Sequence, residues 1–256
     1  PGSYWPAMDR APDGSGFWVS WQANPDKEGD DVFLRHLDPE LQAKGPEVRA
    51  TAYAPDKSKV TQVSAPTVAV SSTNLFVAYA LERDKQRSIQ RMRIPLNLPD
   101  LGTGGLTDKT SKPELSDTVA VNEDKIAGDY PSMVCAKDAC FLAWNEVDKG
   151  ASAAFIDGSK GTVLWRKRFA PKGGHPQAAI TDDGSAEVAF YEAGRVRVAA
   201  ISRDGVGTTS TFAKVTGDPP RPWIAPGRAR GEWYVSWLDL EAGHTEAFVT
   251  RLQCRN

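Results

Sequence analysis

Pro131-Ser132-Met133-Val134-Cys135-Ala136-Lys137-Asp138-Ala139-Cys140-Phe141-Leu142-Ala143-Trp144 holds the reading that decides the fold. A proline opens it, a short apolar run follows, a polar pair turns the chain, and a second apolar run ends on an aromatic. Two short runs rich in β-branched and aromatic residues around a polar turn read as a β-hairpin. The same order recurs along the chain, starting at Pro6, Pro66, Pro131, Pro176 and Pro222 and ending at Trp21, Tyr79, Trp144, Phe190 and Trp237. From proline to aromatic the spacing is 15, 13, 13, 14 and 15 residues. Five copies at so constant a spacing define an internal repeat.

Working outward, turn residues separate the two runs in every copy: Asp13-Gly14-Ser15-Gly16, Ser72-Thr73-Asn74, Lys137-Asp138, Asp182-Asp183-Gly184 and Gly227-Arg228-Ala229-Arg230-Gly231. A third run follows the aromatic, as in Ser88-Ile89-Gln90-Arg91-Met92-Arg93-Ile94 and Arg195-Val196-Arg197-Val198-Ala199-Ala200-Ile201, with the alternation of a half-buried antiparallel strand. A weaker fourth run closes several copies, for example Val163 to Phe169 and Thr209 to Lys214. No helical period extends over a useful length. Four antiparallel strands per repeat, repeated five times, predict an all-β fold: a five-bladed β-propeller of mostly four-stranded sheets. A β-sandwich is the structural rival, but its strands do not normally repeat one motif five times. Small alternating residues in the first strands, such as Thr67-Val68-Ala69-Val70, suit the crowded position next to a central channel.

The expected organisation is one propeller over residues 4–256, with blades near 4–60, 61–128, 129–173, 174–218 and 219–256. Pro1-Gly2-Ser3 reads as the scar of a cleaved expression tag. The last copy holds three strands: either that blade is short, or its outer strand comes from the residues near Tyr4 or from chain upstream. Leu98 to Asp117, with Gly-Thr-Gly-Gly and two prolines, reads as a flexible insertion in the second blade.

Composition excludes several classes of function. Lys and Arg number 31 against 33 Asp and Glu, a net charge of −2, which gives no electrostatic footprint for nucleic acid. No apolar stretch approaches the ~20 residues that cross a bilayer as a helix. Three cysteines and three histidines (His36, His175 and His244) show no paired metal-ligand spacing, so no metal and no cofactor is expected. Cys135 and Cys140 flank the tight turn of the third copy, where a hairpin brings them within disulfide reach and implies an oxidising, extracytoplasmic compartment. Cys254 is left free or paired outside the segment.

Pro6 to Leu37, with Ala11-Pro12-Asp13-Gly14-Ser15-Gly16, and Asp182-Asp183-Gly184-Ser185 resemble the propeller repeats of secreted bacterial proteins, with a likeness to TolB-type blades. The resemblance implies architecture and an extracytoplasmic setting more than activity. The Asp-box of sialidases (Ser-x-Asp-x-Gly-x-Thr-Trp) does not occur.

A site is expected on the face where inter-blade loops and second-to-third-strand loops open together, because loops on a rigid scaffold carry most binding. The first set presents Trp5, Tyr130, His175 and Arg221; the second presents Glu146, Glu192 and Asp239. Aromatics, a histidine, an arginine and carboxylates could stack a sugar, bind a cation or supply an acid/base pair. Three readings follow in order. The first is a non-enzymatic scaffold for a protein partner within a larger envelope or secreted protein. The second is a lectin-like module in which Trp5 and Tyr130 stack on a glycan. The third is a glycoside hydrolase or lyase using Asp129, Glu146 and Glu192.

Overall fold

The computed structural model describes residues 3–24, 30–51, 61–97, 117–123, 126–215, 221–241 and 244–253. They form five antiparallel sheets arranged as the blades of a β-propeller, with no helix among the described residues. Blade 1 comprises β1 (Ser3–Arg10), β2 (Phe17–Ala23), β3 (Asp31–Leu37) and β4 (Val48–Arg49). Blade 2 comprises β5 (Thr61–Val70), β6 (Asn74–Arg83), β7 (Gln86–Pro95) and β8 (Asp117–Ala120). Blade 3 comprises β9 (Gly128–Ala136), β10 (Ala139–Glu146), β11 (Gly150–Asp157) and β12 (Val163–Ala170). Blade 4 comprises β13 (Gly173–Ile180), β14 (Ala186–Glu192), β15 (Arg195–Ser202) and β16 (Gly205–Lys214). Blade 5 has three strands, β17 (Trp223–Pro226), β18 (Glu232–Glu241) and β19 (His244–Gln253).

The repeat has a direct structural meaning. In blade 1, Tyr4 pairs with Gln22 and Ala7 with Ser20, so Trp5-Pro6 together oppose the single residue Trp21. Ala65-Pro66 oppose Tyr79, Tyr130-Pro131 oppose Trp144, and His175-Pro176 oppose Phe190 in the same way. Two residues against one is a β-bulge, a position where the amide that proline lacks is not needed for the ladder. The proline and the aromatic that mark each copy are therefore cross-strand partners in one device. In blade 5 the pairing begins with Trp223 opposite Ser236, the residues next to Pro222 and Trp237.

Blades are held to each other by apolar faces. Trp18, Leu34, Val68 and Tyr79 join blades 1 and 2; Phe76, Ile89, Leu142 and Trp144 join blades 2 and 3. Phe141, Phe155, Val188 and Phe190 join blades 3 and 4; Val196, Val235 and Trp237 join blades 4 and 5. No such cluster joins blade 5 to blade 1 among the described residues. The outward face of blade 5 leaves Trp223 49% and Val249 68% exposed, and Met8 of blade 1 is 55% exposed.

Cys135 and Cys140 stand opposite each other on β9 and β10 and form the disulfide, with Cα atoms 4.1 Å apart. Turns close as their residues dictate: the Asp183 carboxylate accepts from the Ser185 amide and the Thr181 hydroxyl, which holds its pKa at about 2. Gly16, at φ +135°, lies so near the third strand that a Cβ there would sit 1.9 Å from the Leu37 carbonyl oxygen. The residues near Tyr4 form the innermost strand of blade 1 and do not complete blade 5; Ser3 already pairs with Ala23. The expected insertion lies, over residues 98–116, outside the described residues, as does Cys254.

Candidate functional site

Trp5, Ala65, Tyr130 and His175 each precede a repeat proline, and each has a left-handed backbone, with φ of +55°, +48°, +48° and +52°. A residue before proline favours extended backbone, and a left-handed conformation costs an L-residue about 1–2 kcal/mol. Four copies of the same strained residue mean that the surrounding sheet imposes it. Together with Arg221, just ahead of β17, the four residues line one pocket of about 240 Å³. The sequence placed Trp5, Tyr130, His175 and Arg221 in inter-blade loops; the first three instead lie inside the innermost strands, as does Ala65, because the bulge re-aims the side chain without ending the strand.

The contents of the pocket are aromatic and cationic. The Trp5 and Tyr130 rings lie 5.9 Å apart between centroids, and Tyr130 and His175 lie 5.3 Å apart. The Arg221 guanidinium sits 4.4 Å from the Tyr130 centroid and 5.0 Å from that of Trp5, near enough for cation–π attraction to both. Arg221 makes no ion pair with a carboxylate among the described residues. Its five N–H donors therefore have their strongest class of acceptor unfilled. Burial holds the His175 imidazole below its ordinary pKa of 6.5; the Arg221 charge adds to this and Asp129 opposes it. His175 Nδ1 is buried with no hydrogen-bond partner. At neutral pH this ring is uncharged and has a free lone pair or a free N–H.

The carboxylates behave differently. Glu146 is buried and bound to Arg168 at 2.6 Å, and Glu192 is bound to Arg197 at 3.0 Å, each within its own blade. Neither lines the pocket, nor does Asp239, whose backbone pairs with Glu246 on β19. Asp129 stands one residue from Tyr130, accepts the Tyr130 amide at 2.9 Å and is bound to Arg87 at 2.6 Å. Arg87 in turn holds Glu82 at 2.7 Å. Of the seven residues expected at the mouth, the fold gathers Trp5, Tyr130, His175 and Arg221. Gln177 and Trp223, which the sequence did not mark, also line the pocket; both lie within two residues after a repeat proline. A larger concavity of about 740 Å³ at the opposite end is lined largely by hairpin turns, where Asp183 pairs with Arg230 and Arg203 lies over Phe155.

No protein-family model and no curated protein sequence matches the chain. Solved structures do resemble it. The polysaccharide lyase Uly1 superposes with a TM-score of 0.60 at 10% identity, over 97% of this chain and 57% of the lyase. A protein of unknown function from Dyadobacter fermentans gives 0.61 at 13%, over 99% and 77%. Trypanosoma rangeli sialidase gives 0.59 at 9%, over 97% and 47%. At these identities the likeness is one of fold, and the chain spans little more than half of the lyase and under half of the sialidase. The expectation of a non-enzymatic protein scaffold is corrected here. The neighbours with a named activity act on carbohydrates, and the mouth is a concave pocket with unspent polar capacity instead of a flat platform.

Proposed function

We propose that the chain binds an acidic carbohydrate at the channel mouth and cleaves it by a lyase-type elimination. The observation that carries this reading is Arg221, lying over Trp5 and Tyr130 and without a carboxylate partner among the described residues, beside a His175 whose burial favours its neutral form. A sugar carboxylate supplies the acceptor that Arg221 lacks, and the aromatic faces supply a surface for a sugar ring. Pairing that carboxylate with Arg221 makes the adjacent C–H more acidic, by stabilising the charge that develops when the proton leaves. His175 takes the proton, the C–H electron pair becomes a C=C bond, and the C–O bond to the leaving sugar breaks. The Tyr130 hydroxyl protonates the departing oxygen. The likeness in fold to a polysaccharide lyase agrees with this chemistry. The disulfide supports an extracytoplasmic setting, where such polymers are met.

The test is incubation with a polyuronate, following the ultraviolet absorbance of the new conjugated double bond. Arg221→Ala should lower kcat/KM by about 10²–10³-fold, as loss of one charge-stabilising donor does. Glu146→Gln should leave it unchanged, since that carboxylate is a structural ion pair. The sign of the pH dependence follows from His175. Its folded-state pKa is depressed below 6.5, so activity is flat above that value and is lost as pH falls through the lower, folded pKa. An acid limb above pH 6.5, or cleavage indifferent to Arg221→Ala, would refute the mechanism. Binding of the polyuronate by the unaltered protein with no double bond formed would instead establish the carbohydrate-binding reading, which the 44% exposed Trp5 favours.

A further inference from the structure

Tyr130 is the side chain that joins the pocket together, for its ring meets Trp5, His175 and Arg221. Its left-handed backbone is shared with Trp5, Ala65 and His175, but of the four only Tyr130 follows a carboxylate. Tyr4, Ser64 and Gly174 stand at the positions that match Asp129. In a bulge the extra residue is left out of the ladder, so its amide needs another acceptor. Asp129 supplies one: its Oδ1 accepts from the Tyr130 amide at 2.9 Å, while its Oδ2 accepts from Arg87 Nη1 at 2.6 Å. Arg87 belongs to blade 2. It lies on β7 directly opposite Glu82 of β6 and donates from Nη2 to Glu82 Oε2 at 2.7 Å. Glu82 thus holds the guanidinium, the guanidinium holds the Asp129 carboxylate, and the carboxylate holds the backbone of Tyr130. The Asp129 side chain is 12% exposed, so water competes weakly for these charge-assisted bonds.

We infer that Asp129 is a positioning residue of the pocket: anchored through Arg87 to blade 2, it sets the Tyr130 ring where that ring meets both the Arg221 guanidinium and the His175 imidazole. Its effect on rate rests on the lyase reading above; its effect on the pocket needs no substrate. In that reaction the Tyr130 hydroxyl protonates the departing oxygen, and a displacement of ~1 Å in a reacting group costs about a hundredfold. The charge of Asp129 has a second effect. The charged groups acting on His175 are Arg221, which favours the neutral ring, and Asp129, which favours the protonated one. Tyr130, the titratable ring packed against the imidazole, carries no charge at neutral pH. Asp129 therefore preserves some of the basicity that burial and Arg221 remove, and a proton-abstracting imidazole needs it.

The test without substrate follows two rings by NMR in the whole chain. The His175 imidazole is titrated with His36 and His244 as references. Asp129→Asn keeps an oxygen for the Tyr130 amide and removes the charge, so it should move the His175 midpoint to lower pH and leave the other two in place. The Tyr130 ring, labelled as 3-fluorotyrosine and assigned with Tyr130→Phe, should shift its ¹⁹F signal more in Asp129→Ala, which removes the acceptor, than in Asp129→Asn. Arg87→Met, which cuts the anchor to blade 2, should shift it too, and serves if Asp129→Ala does not fold. With a polyuronate as substrate, Asp129→Ala should lower kcat about 10–100-fold while KM changes by less than about threefold, since Arg221 still holds the sugar carboxylate. A His175 midpoint unmoved or raised in Asp129→Asn overturns the inference, as does a fluorotyrosine signal that neither Asp129→Ala nor Arg87→Met shifts. If the unaltered protein forms no double bond, the lyase reading fails, and the two NMR signals still decide the role of Asp129.

Discussion

Blades 3 and 5 are built from nearly the same motif, Ala139-Cys140-Phe141-Leu142-Ala143-Trp144 in one and Glu232-Trp233-Tyr234-Val235-Ser236-Trp237 in the other, yet they sit in opposite conditions. Blade 3 has a neighbour on each face; β10 and β11 are buried almost throughout, and a disulfide ties its first two strands. Among the described residues blade 5 has an apolar cluster on one face only, three strands, and a β19 with no buried side chain. The difference lies partly in what surrounds each blade and partly in its own residues, since the disulfide and the fourth strand belong to blade 3 itself. In a repeat fold stability is nearly a sum of blade and interface contributions, so a blade lacking one interface opens at lower free energy than one with two.

The largest effect that tests this contrast is a pair of truncations. Trp144→Ala removes a ring that is 1% exposed between blades 2 and 3 and should cost about 3–5 kcal/mol in urea unfolding. Val249→Ala on the open face of blade 5 should cost less than about 0.5 kcal/mol. Equal losses would mean that the seam between blades 5 and 1 closes in solution. Next in size is the disulfide. Cys135→Ser with Cys140→Ser should lower stability by about 2 kcal/mol, the value for a short loop. In hydrogen exchange it should speed β9 and β10 while leaving β18 unchanged. The smallest effect concerns strain. Ala65→Gly relaxes one left-handed residue at φ +48° and should raise stability by about 1 kcal/mol, a few degrees in Tm. A loss on that substitution would show that the ring of bulges is unstrained.

Much of the fold was legible because its two marks are physically joined. Proline and aromatic face each other across a bulge, so their spacing along the chain measures one hairpin and stays constant. The pocket was legible for the same reason, since each pointing residue stands directly before a proline. Its setting was not, because pre-proline sterics argue for extended backbone and give no hint that the sheet forces φ positive. Glu146 and Glu192 misled because the arginines that neutralise them, Arg168 and Arg197, lie on a neighbouring or later strand, and charge pairing of that kind depends on register. The unpaired face of blade 5 was also out of reach; counting repeats says nothing about whether the first and last meet.

The bulge at four of the five repeat prolines has a consequence for how such a pocket can change. Much of its lining comes from single positions read around the axis, Trp5, Ala65, Tyr130 and His175 on rigid strands and Arg221 just ahead of β17. Each is fixed by backbone that does not depend on the side chain it bears. The five positions therefore form a small combinatorial alphabet, in which ligand preference can be rewritten letter by letter while the blades stay as they are. Ala65, the smallest letter, is the place where a selection experiment has most room to begin.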